Sequence, residues 1–587
     1  MKYDANACRR LPGEERIDFE DRRWRRRRVG RVEARIAAAV EKIYCEVGLQ
    51  CGRYEANQAV DRAGELLDAC RRYPVPMDAD EDEIRQAAEV WSSKCFSSPG
   101  STQPKVITRG ALRGVSPARV AHAERTCRRA GIEPATFPRM VDDMWWRRRL
   151  RQGIGRAVEQ AARVVGLVTK WSGIYCSDYT VERRADQNRR NARIVAAIEA
   201  VSGETVLDLE SVVAASLANP RNRHAELIAR VSGAEAAADR AGDMALFLTL
   251  TCPSKYHARH AKTGKPNAKY EGATAREAQE YLVQLWARVR AQWAKAGLES
   301  YGLRIAEPHH DGCPHWHLIL FCKPEARGQV IAVLRAHALA EDGEENGAAG
   351  ARLKVVEIDK NKGSATAYVV KYITKAITGD GMTEDRDGTP VADIAGRVRA
   401  WASVWGIRQF QFWGLPTITP YRELRRLRDG MPGGPHAAAW AAADAGDFGA
   451  YIEATKRVEI KTARAWSDKL NKYDEPRGWR IVGVEVAGVT FATRFRTWTL
   501  QRKRAVDLPR KPGNNCNLQP VGGIGNGNTS GSVWGGFGGG SGVGGGPVPD
   551  RSMGRGASKG DMGAGQRAPR VPGRPGARSG LRGDGSG

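Results

Sequence analysis

The residues best placed to do chemistry in this 587-residue chain are two histidines one residue apart, His315-Trp316-His317. On a strand, residues two apart point to the same face, so both imidazoles would converge on one point. Trp316 and Leu318 would then face the other way, into a core. Six of the ten histidines, His257, His260, His309, His310, His315 and His317, fall in this part of the chain. The segment PHHDGCP (308–314) reads as a turn between two apolar runs. If those runs pair as an antiparallel hairpin, Glu307 comes to lie beside His315. Two imidazoles and one carboxylate with open positions suit Mg2+ or Mn2+ together with substrate oxygens, and would also hold Zn2+.

A second set lies in AYVVKYITK (367–375). Tyr368 and Tyr372 are four apart, so on a helix they stack on one face about 6 Å apart along the axis. Lys375 shares that face and Lys371 flanks it. An amphipathic helix with half-buried tyrosines accounts for this pattern in most proteins. The alternative is a pair of phenol nucleophiles. A phenol titrates near pH 10, so it needs a neighbouring cation to attack at neutral pH, and lysine or a divalent ion supplies one. The same cations would offset charge on a phosphoryl group in transit.

The elements that must position these side chains are short β-rich runs at 245–251, 301–307, 315–321 and 407–412. Helical stretches at 274–296, 325–339 and 364–377 lie between them, which indicates an α+β or α/β domain over 241–430. Upstream, residues 1–140 and 141–240 read as mostly helical and Arg-rich. The runs Arg22–Arg28 around Trp24 and Arg147–Arg149 after Trp146 suit either a solvated helix face or a DNA-backbone contact surface. Downstream, 431–507 reads as a helical stretch near 436–470 and a hairpin around 481–495. Glycine makes up a third of 510–587 and arginine is scattered through it, so 508–587 is expected to be a flexible basic tail.

Composition narrows the class. With 93 Lys+Arg against 67 Asp+Glu the formal net charge is +26, which points to a polyanionic partner. No window approaches 18 consecutive apolar residues, so no ordinary membrane span is expected, and no apolar secretory segment opens the chain. Eleven cysteines without a C-x-x-C pair argue against a zinc ribbon or a disulfide framework and suit a reducing cytoplasm.

Three stretches, in order, resemble the bacteriophage replication gene A proteins, rolling-circle initiators of the HUH endonuclease superfamily: FLTLTCPSKYH (247–257), EPHHDGCPHWHLILF (307–321) and AYVVKYITK. The flanks YCSDYTVERRADQNRRN (175–191) and WGLPTITPYRELRRLR (413–428) are similar too, so the likeness spans about 140–500. The resemblance implies a central antiparallel sheet with the H-x-H on a middle strand and the tyrosine helix packed towards a metal. It implies His315, His317 and Glu307 as ligands of Mg2+ or Mn2+, and Tyr368 and Tyr372 as nucleophiles. Lys371 and Lys375 would position or neutralise phosphate, while Thr249 and Thr251 would support the site or simply pack. Tyr256 and His257 read as DNA contacts or, more plainly, as exposed loop residues. The implied reaction is attack of a tyrosine on origin DNA, single-stranded or supercoiled, leaving a 5′-phosphotyrosine and a free 3′-OH. That end would prime a host polymerase while a host helicase unwinds, in the cytoplasm of a bacterial host. The absence of G-x-x-x-x-G-K-[ST] fits a reaction that needs no ATP. A relaxase or HUH transposase, or a non-catalytic nucleic-acid-binding protein, are the competing readings.

Overall fold

Strict alternation in β3 (Pro314–Cys322) organises the fold: Trp316, Leu318 and Leu320 are fully buried on one side, while His315, His317, Ile319 and Phe321 face the other. In this computed structural model the described residues are 15–97, 115–379, 391–427, 430–431 and 433–503. β3 is the middle strand of a five-stranded antiparallel sheet, flanked by β1 (Met244–Thr251) and β2 (Tyr301–Pro308). β4 (Leu353–Glu357) borders β1 and β5 (Phe410–Trp413) borders β2, giving the order β4-β1-β3-β2-β5. The chain is α+β, as expected.

Six helices matter for the site: α1 (Asp143–Val165), α2 (Asp178–Ala196), α3 (Pro220–Ala241), α4 (Ala275–Lys295), α5 (Ala365–Ile377) and α6 (Val391–Trp405). α3 and α5 cover the histidine face, where Val231, Ala234, Val369 and Ile373 pack on Phe247, Ile305 and Ile319. α4 covers the other face, where Leu282, Leu285 and Val289 pack on Leu248, Trp316 and Leu318. Trp316 donates its indole N–H to Gln279 Oε1 at 3.0 Å, and the Arg304 guanidinium lies 3.7 Å above its ring. α4 starts in a capping box between Thr274 and Glu277. α5 starts at Ser364, and the Glu235 carboxylate accepts from the free N–H groups of Ala365 (2.6 Å) and Thr366 (2.9 Å). A negative charge there is favoured by the helix dipole.

The N-terminal helices build a separate apolar cluster with Ile36, Val60, Leu67, Ile84, Met140 and Trp146. α1 runs from that cluster to the sheet, since Trp146 and Leu150 lie in it while Arg163 reaches the 308–314 turn. The first arginine run is divided, with Arg25 buried and Arg23 and Arg27 exposed. Arg25 is buried, pairs with Glu41 and lies 3.6 Å above the Tyr44 ring, and Arg28 pairs with Asp61 and Asp68. In the second run Arg147 pairs with Glu81, while Arg148 and Arg149 are exposed.

The region 141–240 is mostly helical and also contains a hairpin, Ile198–Ser202 with Thr205–Asp208, whose third strand is the distant Thr499–Arg502. One expectation needs correction. The helical reading of 436–470 runs too far. Helices at Pro435–Ala445 and Phe448–Thr455 give way to a strand, Ile460–Leu470, that pairs with Pro476–Val486. The expected hairpin near 481–495 is present as Pro476–Val486 with Val489–Ala492. The glycine-rich segment 508–587 lies outside the described residues. Among the described residues, no helix is long and apolar enough to cross a membrane.

Removing the Trp316 ring would leave a large hole against α4 and strand the Gln279 acceptor. Trp316→Ala should lower unfolding free energy by about 3–5 kcal/mol, read as an earlier midpoint in urea.

Candidate metal and nucleophile site

Strand register places the ligands. Glu307 on β2 stands directly opposite His315 on β3, and Thr251 and Thr249 on β1 stand opposite His315 and His317. The hairpin needed to bring Glu307 beside His315 is therefore present. The connecting turn is tight: Gly312 N–H donates to His309 O at 2.8 Å and His309 N–H to Cys313 O at 2.7 Å. Gly312 has φ +77°, a left-handed conformation that favours glycine.

His315 Nε2 and His317 Nε2 lie 3.0 Å apart, and His317 Nε2 lies 3.6 Å from Glu307 Oε2. One ligand atom from each of the three residues falls within 4.8 Å of the others. The donor set fits a divalent cation. Two donors held about 2.1 Å from an ion at right angles to each other are separated by about 3.0 Å. Glu307 Oε1 and His315 Nδ1 are buried without a hydrogen-bond partner among the described residues, so donor capacity is unspent. Thr249 Oγ1 lies 3.1 Å from His317 Nδ1; in the tautomer that donates Nδ1–H to it, Nε2 keeps its lone pair.

Electrostatics point the same way. Burial pushes His315 well below its ordinary range, with His317, His309 and Lys375 adding to the effect. Burial, then Lys375 and Lys371, brings His317 down to about 3. Both imidazoles are thus neutral, as ligands must be. Burial raises Glu307, and Lys375 and Lys371 act against that rise.

α5 lies across this face. The Tyr372 ring is 4.1 Å from the His317 ring, centroid to centroid. Phe247 stacks on both His317 (5.4 Å) and Tyr372 (5.5 Å). Tyr368, one turn earlier, touches Phe247 at 6.0 Å, so the two phenols meet the sheet at different depths. Lys371 Nζ lies 4.9 Å from the Tyr372 ring. Lys375 Nζ donates to the Tyr175 hydroxyl at 2.8 Å and sits 4.6 Å from that ring. All seven residues singled out from the sequence therefore lie on one sheet face or on the helix covering it.

Tyr256 and His257 are not exposed loop residues. Tyr256 stacks on Tyr281 at 5.1 Å, and His257 Nδ1 lies 3.3 Å from Asp311 Oδ2, whose side chain is fully buried. Their loop is pinned because Asn267 Nδ2 donates to Ser254 O and His257 O and because Arg163 reaches Tyr256 O. Asp311 lies well below the ordinary carboxylate range despite its burial, because His257 and Arg163 face it. Arg163 also donates to Asp311 O at 2.9 Å and so braces the turn that leads into β3.

Sequence reasoning missed these residues because Asp311 in H-D-G looks like ordinary turn chemistry. It also missed Tyr175, a buried non-glycine residue at φ +73° that reaches Lys375 from outside the sheet. Strained backbone of this kind costs about 1–3 kcal/mol and collects at functional sites.

Residues 112–380 match the family model described as Bacteriophage replication gene A protein. The match takes in both candidate motifs, the histidine strand and the tyrosine helix. The gene A likeness extends beyond the matched segment in individual relatives. The Replication gene A protein of Escherichia phage P2 is 36% identical over 422 residues, 65% of this chain and 55% of that protein. The Replication gene A protein of Escherichia phage 186 is 38% identical over 399 residues, 64% of this chain and 57% of that protein. A protein of Salmonella typhimurium named Probable replication endonuclease from prophage-like region is 38% identical over 425 residues, covering 66% and 52%. The chain thus spans a little over half the length of these gene A relatives. No solved structure matches it.

The neutral histidines make the metal-free protein acid-sensitive. His309 and His317 titrate at about 3 when folded, chiefly through burial, but near 6.5 when unfolded. Their contribution is complete above about pH 6.5 and drains away as pH falls towards 3, by up to about 1.4 kcal/mol per pH unit for each. His257, raised when folded, adds a small opposing gain just below pH 6.5 and none once its unfolded form is fully protonated. Chemical-denaturation midpoints of the metal-free protein should therefore fall steadily from pH 6.5 to 5, and His309→Gln should make the decline shallower.

Proposed function

We propose that this chain is a phage replication-initiation endonuclease of the HUH type. It nicks one DNA strand at an origin by tyrosine transesterification. The observation that carries the reading is the Tyr372 ring lying against His317, on the sheet face that carries the three candidate metal donors. The ordered gene A motifs and the names of the relatives support it. Residues 241–430 would be the nuclease core and 431–507 its extension, preceded by a helical region over 141–240. Residues 1–140 would be a basic N-terminal region, and 508–587 carries further arginines among its glycines.

In this mechanism a Tyr368 or Tyr372 phenol oxygen attacks the scissile phosphorus. The P–O3′ bond breaks as the O–P bond to tyrosine forms. The phenol proton is lost to solvent and the leaving 3′ oxygen takes one up, so the product ends are a free 3′-OH and a 5′-phosphotyrosine. One phosphodiester replaces another, so no nucleotide is consumed. His315, His317 and Glu307 would hold Mg2+ or Mn2+, which would draw charge from the phosphate oxygens. Lys371 and Lys375 flank the phenols, where they favour the phenolate and balance the phosphate. The second tyrosine stays available for the next scissile bond. The free 3′-OH would serve a host polymerase and a host helicase would open the duplex, in the bacterial cytoplasm. Relaxases and transposases of the HUH type share this chemistry; the replication names of the relatives favour initiation.

A labelled single-stranded origin oligonucleotide with Mn2+ should become covalently bound. Each single Tyr→Phe variant should retain an adduct on the other tyrosine, mapped by mass spectrometry, while the double variant binds DNA and forms none. His317→Ala should lower nicking about a hundredfold or more. An adduct outside α5, or full nicking in EDTA, would refute the assignment, and a purely DNA-binding protein would form no adduct at all.

Tyr175 acts in this reading as a positioning residue for Lys375. Tyr175→Phe keeps the ring and removes the hydroxyl, so cleavage should fall about tenfold in the wild-type background and no further in Lys375→Ala. Additive losses in this double-mutant cycle would show that Tyr175 does not work through Lys375.

A further inference from the structure

Away from the histidines, α1, α2 and α6 enclose a groove of about 410 Å3. Five arginines line it: Arg148 and Arg151 from α1, and Arg183, Arg184 and Arg190 from α2. Among the described residues Glu81 is the one acidic residue in the lining, and its carboxylate is occupied by Arg147 and Arg151. The other guanidiniums are held by neutral acceptors. Arg148 donates to the Tyr473 hydroxyl (3.1 Å) and Arg183 to the Tyr179 hydroxyl (2.9 Å) and Arg151 O (2.9 Å). Arg184 donates to Ser403 Oγ (3.0 Å) and Arg190 to Gln187 Oε1 (3.4 Å). These bonds fix the forks in place without cancelling their charge.

We infer that this groove binds the phosphate backbone of the DNA strand that leads to the tyrosine site. Guanidinium forks match phosphate oxygens in geometry and charge. No aromatic side chain lines the groove, so base stacking is absent and the contact is indifferent to sequence. The groove is tied to the site through the chain itself. α2 is capped by Ser177, two residues after Tyr175, whose hydroxyl meets Lys375. At 1.5 Å per residue, Arg183 to Arg190 lie about 9–20 Å along α2 from that cap, a span of a few nucleotides of backbone. Arg397 of α6 donates to Cys176 O at 2.9 Å and fastens α6, which carries Ser403, to the start of α2.

The inference rests on the nicking reading for what the strand is, but its test is a binding measurement. Full-length protein is titrated against a fluorescent 30-nucleotide single strand, in origin and scrambled versions, over a series of salt concentrations. The triple variant Arg183→Gln, Arg184→Gln, Arg190→Gln should bind both strands at least about tenfold more weakly at 0.1 M salt. Its slope of log K against log salt should be shallower by about two. The triple Arg→Lys variant should recover most of the slope, because the slope follows the number of cations and not their fork geometry. If the Gln triple does not fold, Arg190→Glu, on the exposed part of α2, gives the same comparison. An unchanged slope in a folded Gln variant overturns the proposal, as does a loss confined to the origin strand. A wild-type protein that forms no covalent adduct but shows the salt shift would overturn the nicking reading and leave the groove standing.

Discussion

Everything at the site depends on the pairing register of β3 between β1 and β2. Side chains alternate with a period of two, so a slip of one residue would bury His315 and His317 against α4 and expose Trp316 and Leu318. The register is held from the apolar side. Trp316, Leu318 and Leu320 fill one face of the sheet completely, and the hydrogen bond from Trp316 to Gln279 permits one position only. The same pairing sets Glu307 opposite His315 and Thr249 opposite His317. The arrangement of these three candidate donors is thus a by-product of core packing on the far side of the sheet, which makes it rigid.

Rigidity matters because the site is electrostatically expensive. Two neutral imidazoles and a carboxylate are crowded into a space where burial opposes charge, while Lys371 and Lys375 approach from α5. A divalent cation would satisfy the Nε2 lone pairs and the carboxylate together, and Glu307 Oε1 is buried there with no hydrogen-bond partner among the described residues. The buried Asp311–His257 pair and Arg163 support the turn behind these ligands. The phenol of Tyr175 supports Lys375 from the opposite direction.

Much of this was legible in the sequence because it is local. H-x-H, the turn after Glu307 and the four-residue spacing of the tyrosines each report on neighbours within one or two elements, and the structure brings them together. What was illegible depends on distant partners. The edge strand Leu353–Glu357 is only five residues long, and its alternation is too short to stand out. Ile198–Ser202 is completed by Thr499–Arg502, some three hundred residues on, and nothing nearby announces it. Asp311 and His257 lie in segments that read as polar loops, but Arg163 and Asn267 bury them by satisfying their backbone. The arginine runs were legible as charge but not as destination, because Glu41, Asp61, Asp68 and Glu81, which pair with Arg25, Arg28 and Arg147, sit on other helices.

The apolar layer over the histidine face draws its side chains from widely separated parts of the chain: Val231 on α3, Ile373 on α5, Phe448 and Tyr451 further on, and Val484 near the end of the described residues. A ribosome delivers these residues in that order. Until Phe448, Tyr451 and Val484 have emerged, a nascent chain already carrying both histidines and both tyrosines has only part of the cover that packs this layer. Chains cut short by premature termination between the tyrosines and Phe448 would therefore hold every candidate reactive group yet leave part of the apolar surface beneath them wet.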